Sequence, residues 1–238
     1  MARTRTLAQL RTEVLQTADM ENVGSFIDIS TGGEVDRYIN ASIQDLYDTI
    51  IEVMGQEYFL KSDTFTTIAG TSEYSVVVAD DDFYQLYGVD WESGDNKWPL
   101  TPYEWQDRHQ DNIAWSTFRD QWGGYPCHYR LFGDQNAATG VYTPRIRLTP
   151  EPTSVQTVRL WYVPHPPLLD ADADVFDGFN GWEEYVVVDA AIKLLQKEES
   201  DTQALELRKS RLLDRIRSMA SKRDMNYHQV IADVEDYE

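Results

Sequence analysis

The sequence predicts an α+β protein: a helical bundle made by the N- and C-terminal helices, with an antiparallel β lobe inserted between them. Two observations predict it. Apolar residues recur every three to four positions over residues 6–54 and again over 182–223, the period of helices that face a core. From about 56 to 165 they alternate every second position in short runs bounded by turn residues, the pattern of half-buried strands. With 238 residues, 42% of them hydrophobic, the chain can form one large domain or two small ones. The predicted division is 1–55 and 166–223 for the bundle, 56–165 for the β lobe, and 224–238 for a C-terminal docking tail.

The elements follow in order. Residues 6–19 read as an amphipathic helix with Leu7, Leu10, Val14, Leu15 and Ala18 on one face and Thr6 as N-cap. A longer helix spans about 33–54. Its apolar stripe is Val35, Ile39, Ile43, Leu46, Ile50 and Val53, and Asp36, Asn40, Gln44 and Asp48 take the opposite side. Residues 58–68, 73–78 and 83–91 are rich in β-branched and aromatic residues and are separated by AGTS, ADDD and SGDN, so they predict three strands. Thr101 as cap, Pro102 at the first position and Glu104 in the first turn predict a helix over 101–118. Residues 127–133, 144–150 and 156–164 predict three more strands, with spacers short enough for hairpins. After a loop over 168–181, residues 182–200 carry apolar residues nearly all round, the mark of a buried helix. The last helix, about 202–223, has Leu205, Leu212, Ile216 and Met219 as its stripe and Arg208, Arg211, Arg215 and Lys222 on a neighbouring one.

Charge divides the chain unevenly. The total is 21 basic against 41 acidic residues, a net of −20. Residues 206–223 hold seven basic and two acidic groups, a net of +5, and residues 224–238 hold five acidic groups and no basic one. So strongly negative a chain excludes a protein whose whole surface grips nucleic acid. It leaves room for local basic surfaces with their own partners. No run approaches the apolar length of a membrane span, and the basic start lacks the apolar core of a secretory signal. The expectation is a soluble chain made inside the cell. Cys127, the single cysteine, excludes an internal disulfide and a cysteine zinc cluster.

Catalytic motifs are missing: there is no GxGxxG, Walker loop, HExxH or GxSxG. His109, His128, His165 and His228 have no partner histidine at metal-ligand spacing. Neighbours in a strand point to opposite faces, so Cys127 and His128 cannot act as nucleophile and base. Asp170, Asp172, Asp174 and Asp177 form the sharpest carboxylate cluster. Calcium is one reading, but Val175 and Gly181 stand where an EF-hand loop needs glycine and glutamate. A solvated loop that leads into a helix is the other reading. Trp91, Trp98, Trp105, Trp115 and Trp122 fall within 32 residues. They read as core or interface anchors, or alternatively as one face of a carbohydrate- or receptor-binding tail module. The residues expected to contact a partner are Arg208, Arg211, Arg215, Lys222, Tyr227 and Tyr237. Arg145, Arg147 and Arg159, on strand faces, are expected to pair with acids of a neighbour.

Three segments carry a family resemblance. They are LAQLRTEVLQ with VDRYINASIQDLYDTI; YRLFG with PRIRLTPEPTSVQTVRLWYVPHPPLL; and the run from EEYVVVDAAIKLLQKEES into the basic last helix. In this order they resemble the head-to-tail adaptor, or connector, proteins of tailed bacteriophages. The resemblance implies a non-enzymatic virion component without cofactor, at the head–tail junction. It implies a homo-oligomeric ring, typically of twelve copies, under the portal protein. That ring extends the channel for double-stranded DNA, carries the downstream tail or nozzle protein, and has no membrane partner. An acidic lumen wall would let DNA pass without sticking.

Overall fold

The computed structural model describes residues 4–21, 27–76, 82–104, 128–135 and 142–220. The fold is mixed α+β, as the two periodicities predict. The chain forms two compact units, residues 1–55 with 166–238 and residues 56–165.

The helical unit begins with β1 (Arg5–Thr6) and α1 (Leu7–Thr17). Thr6 caps α1 as its sequence requires. Its hydroxyl accepts from the Gln9 amide, and its own amide donates to the Gln9 side chain, at 3.3 and 3.1 Å, a reciprocal capping box. Leu7, Leu10 and Val14 of α1 are fully buried. Helix α2 (Glu34–Met54) starts at Gly33. A Cβ there would stand 2.6 Å from the carbonyl oxygens of Asp28 and Ser30, so only glycine fits. Val35, Ile39, Ile43, Leu46 and Ile50 face inward, as the stripe predicts. Asp36 does not take the outer side: it is buried too. The predicted loop over 168–181 contains β10 (Val175–Phe176), which pairs antiparallel with β1, and a single helical turn, Gly178–Gly181. Helix α3 (Glu183–Lys197) buries nine residues from Tyr185 to Leu194. Helix α4 (Gln203–Ala220) closes the unit.

The second unit is a β-sandwich preceded by a short 3₁₀ turn, Gln56–Phe59. One sheet has the order β2-β9-β4-β5 (Lys61–Thr66, Thr157–Pro164, Phe83–Ser93, Asn96–Pro99). The other has the order β3-β8-β7-β6 (Glu73–Ser75, Tyr142–Thr149, His128–Gln135, Thr101–Pro102). Alternation dictates the layers. Val89 and Trp91 of β4, Val158, Leu160 and Tyr162 of β9, Ile146 and Leu148 of β8, and Tyr129 of β7 all point into one shared core. The intervening residues point away from it.

Two expectations are corrected. Thr101 and Pro102 do not open a helix. They form β6, parallel to β7, with Thr101 opposite His128; the rest of the predicted helix from 105 on lies outside the described residues. The spacer 151–154 is not a hairpin either. It carries the chain from β8 in one sheet to β9 in the other, so a short link crosses the core between layers. The β7–β8 pair is antiparallel, as expected of a hairpin.

Truncating the fully buried Trp91 to alanine is expected to cost the β unit about 3–5 kcal/mol, the range for emptying a large core site. Thr6→Ala is expected to cost the helical unit about 1 kcal/mol. Urea melts followed by circular dichroism check both, and a Trp91→Ala cost below 1 kcal/mol would remove this residue from the centre of the sandwich.

Candidate functional site

Helix α4 carries the basic segment, and its position is set mainly by charge. Among the described apolar side chains of α4 only Ile216 is fully buried, at 1% exposure, while Leu207 and Met219 stand 56% and 49% exposed. Met219 is therefore not part of the packed stripe its spacing predicts. What anchors α4 is Asp189 of α3, a carboxylate with a side chain only 2% exposed. Lys209 of α4 donates to its Oδ1 at 2.5 Å. Lys193, one turn along α3, lies 2.8 Å from Oδ2 at ion-pair distance, though off the hydrogen-bond direction. Lys193 also donates to Ser42 and Asp45 of α2, at 3.1 and 2.9 Å. Three helices thus meet on one buried carboxylate.

Burial alone pushes the Asp189 carboxyl up. The two ammonium groups and Ser42 outweigh it and hold the group below the usual carboxylate range. Burial likewise pushes Lys209 down, and Asp189 more than offsets it. The Lys209 ammonium also lies 5.6 Å from the centre of the Tyr185 ring.

The predicted contact residues divide. Arg208 pairs within the chain, donating to Glu184 of α3 through Nε and Nη2 at 3.1 and 2.5 Å. Both partners are about half exposed, so the pair is worth little. Arg211 and Arg215 are exposed and make no ion pair among the described residues. With Leu207 and Met219 they form one i, i+4 row, Leu207–Arg211–Arg215–Met219, a single ridge on the open side of α4. Lys222, Tyr227 and Tyr237 lie outside the described residues. Lys209, off the predicted basic stripe, makes the buried ion pair that holds α4 in place.

A second buried carboxylate fixes α1 and the aspartate-rich loop. Arg11 of α1 grips Asp36 of α2 with two bonds, at 2.9 and 2.7 Å, and reaches Asp172 at 3.0 Å. Asp172 also accepts from Thr31 at 2.9 Å. Thr31 and then Arg11 lower the Asp172 carboxyl. Asp174 accepts from the amides of Asp170 and Ala171, both at 2.8 Å, and Asp177 from the amide of Phe179 at 2.9 Å. The first amides of α1 in turn donate to the loop's backbone carbonyls, Leu7 to Asp174 and Ala8 to Asp172. These aspartates act as turn and strap groups. Among the described residues no cluster of three or more His, Cys, Asp or Glu is placed to hold a metal.

The described tryptophans do not share a face. Trp91 is in the sandwich core and Trp182 in the helical unit, both buried. Trp98 is on the edge strand β5, 38% exposed. Trp161 donates to Asp90 at 2.6 Å. Trp105, Trp115 and Trp122 lie outside the described residues, as do Cys127, His109 and His228. On the strand faces, Arg159 pairs within the chain, with Glu92 at 2.7 Å, rather than waiting for a neighbour. Arg145 does the same with Asp134 at 3.1 Å. An open groove of about 430 Å³ lies beside α1, α3 and α4. Its arginines are already paired, Arg5 with Glu13 and Arg208 with Glu184, and Val187 is its one aliphatic lining residue.

The family model described as SU10 adaptor protein matches residues 5–233. The chain belongs to the SU10 adaptor protein family. No curated protein matches it. Membership makes the chain a bacteriophage structural adaptor and a virion component that interacts with portal and tail components. Within the adaptor's described residues no helix is long and apolar enough to cross a membrane.

For this adaptor, Asp189→Ala is expected to cost about 3–5 kcal/mol, because it leaves two lysines facing each other without their carboxylate. The pH dependence has a definite sign. A carboxyl held lower in the folded chain contributes stability that is complete above the unfolded value near ~4 and is lost as pH falls below it, through the folded value. Asp189→Asn should therefore flatten the loss of stability below about pH 4. Thermal melts from neutral to acid pH check this; an unchanged acid limb would remove Asp189 as a contributor.

Proposed function

We propose that the chain is a head-to-tail adaptor that forms a ring, of twelve copies, beneath the portal. It extends the DNA channel and gives the tail its attachment platform. The family match over residues 5–233 carries the reading. The structure supports it with surfaces rather than a pocket: the buried carboxylate of Asp189 fixes α4, so that its ridge of Leu207, Arg211, Arg215 and Met219 is presented in one orientation. Two flanking apolar residues and two guanidiniums with no ion pair among the described residues suit a partner with an apolar floor and acidic rim. The portal or an adjacent copy is that partner, with Arg208, Lys222, Tyr227 and Tyr237 as flanking contacts.

The adaptor has no catalytic role in this reading. Double-stranded DNA is passed, not bound: a net charge of −20 suits a lumen wall that repels phosphate. The tryptophan-rich carbohydrate-binding alternative loses support because Trp91 and Trp182 are buried in separate units.

Arg211→Glu with Arg215→Glu is expected to weaken attachment to portal protein at least about tenfold while leaving the fold intact, since neither side chain has an ion pair to lose among the described residues; charge reversal at a desolvated contact changes affinity on this scale. Co-sedimentation with portal particles measures it, with circular dichroism as the folding control. Attachment equal to that of the parent chain would move the contact away from α4.

A further inference from the structure

One end of the β-sandwich carries two chain crossings side by side. The link 67–72 takes the chain from β2 in one sheet to β3 in the other, and the link 150–156 takes it back from β8 to β9. Because β2 pairs antiparallel with β9, and β3 with β8, the two links emerge together. Hydrogen bonds lace them. The Thr67 amide donates to the Gln156 carbonyl at 2.8 Å, and the Gly70 amide to the Pro152 carbonyl at 3.0 Å. The Thr67 hydroxyl accepts from the Gln156 amide at 3.0 Å and donates to the Ser154 carbonyl at 3.1 Å. Beneath them the Tyr74 hydroxyl accepts from the Ile68 amide and donates to the Thr71 carbonyl, at 3.1 and 2.6 Å. Thr67 and Tyr74 are both buried.

The polar groups of this tip are thus spent inward, and its outward groups are apolar. Ile68 and Val155 stand 62% and 64% exposed, with Ala69 exposed beside Ile68. A single exposed aliphatic residue is ordinary, but two on laced neighbouring links form a patch. The patch also lacks charge. Residues 64–72 and 152–158 hold no charged residue, where the chain's 26% would place about four. Depletion of charge around fixed apolar groups is the composition of an interface core. The lacing holds the two links in place before any partner arrives, which lowers the ordering cost of docking.

We infer that this tip is the contact for the tail component and inserts Ile68 and Val155 into an uncharged apolar pocket on it. The inference rests on the adaptor reading above and names one of its surfaces. Charge selects the occupant. Membership in the family gives the chain portal and tail components as partners. The α4 ridge, in the other compact unit, presents Arg211 and Arg215 and suits an acidic rim, whereas the neutral tip suits a partner surface without one. A second copy fits poorly: the open groove beside α1, α3 and α4 is lined by Arg5, Glu13, Glu183, Glu184 and Arg208, and offers two aliphatic groups no uncharged floor. In a chain with a net charge of −20, an uncharged tip is also where another acidic surface approaches with least repulsion.

The test uses the full chain within the virion. Ile68→p-benzoylphenylalanine, and in a second variant Val155→p-benzoylphenylalanine, puts a photoreactive group on the tip. Virions are illuminated and the cross-linked partner is identified by mass spectrometry. The expected product joins the chain to a tail component from both positions. A cross-link to portal protein or to another copy, or none from either position, overturns the inference. A second measurement needs no photoreactive group. Ile68→Asp with Val155→Asp is expected to lower attachment of tails, purified from the same virions, to portal-bound adaptor at least about tenfold. Ile68→Val with Val155→Ile is expected to keep it, and circular dichroism should match the parent chain in both. Tail attachment by the aspartate variant equal to the parent's overturns the inference. Portal attachment is scored in parallel: a parent chain that binds portal but gives no tail contact at the tip overturns this contact alone, whereas a parent chain that binds no portal overturns the adaptor reading.

Discussion

The helical unit turns on one buried carboxylate. Asp189 sits where α2, α3 and α4 meet, and it is paired with Lys193 and Lys209. A buried charge in this position is costly unless matched, and matching restricts geometry more narrowly than apolar contact does. Helix α4 shows the consequence. With Ile216 fully buried alone among its described apolar side chains, it gains little orientation from hydrophobic packing, which is non-directional. The Lys209–Asp189 pair supplies the missing direction. It fixes the rotation of α4 about its own axis, and that rotation decides which residues form the open ridge. The open ridge is thus a consequence of a charge pair on the opposite side of the same helix.

The β unit solves a different problem by alternation. Every second residue on β4, β8 and β9 enters the shared core, which leaves the other half to face outward. On the β2-β9-β4-β5 sheet those outward groups satisfy one another. Arg159 bonds Glu92 and Ser62, Lys97 approaches Glu92, and Trp161 bonds Asp90. The Glu92 carboxyl is held low, by Arg159 first and Lys97 after it, against its partial burial. The opposite sheet is built by the same rule: Arg145 pairs with Asp134, Arg130 donates to the Tyr103 carbonyl, and among the described residues Arg147 makes no ion pair.

What was legible in the sequence was what depends on local period. The stripes of α1 and α2, the Thr6 cap, the buried character of α3 and most strands follow from residues close in the chain. What was not legible depends on partners far away in it. Asp36 has the spacing of a solvent-facing residue and is buried because Arg11, 25 positions earlier, reaches it. Thr101 and Pro102 carry good helix-start chemistry, yet they pair with β7, whose partner residues lie 27 positions on. The link over 151–154 has hairpin length, and whether it turns within a sheet or crosses between sheets is decided by the partners of β8 and β9. In the candidate site, Arg211 and Arg215 were legible as a basic stripe. Lys209 was not, because its role comes from Asp189, 20 positions away.

The excess of acid over base changes what an unpaired residue means. With 41 acidic and 21 basic residues, an unpaired carboxylate is ordinary, and the chain puts many of its carboxylates to structural use. Asp174 and Asp177 hold turns, Asp172 straps a loop to α1, and Asp36, Glu92 and Asp189 bind arginine or lysine. A cation in such a chain has about two carboxylates to choose from, so one left alone is the exception. Among the described residues Arg211 and Arg215 on α4 and Arg147 on β8 make no ion pair, and each lies on a surface directed away from its own core. A chain that pairs Arg11, Arg145, Arg159, Arg208 and Lys209 internally has the carboxylates to pair these three as well. Leaving them open makes physical sense where the matching carboxylates arrive on another molecule, as they do in an assembly.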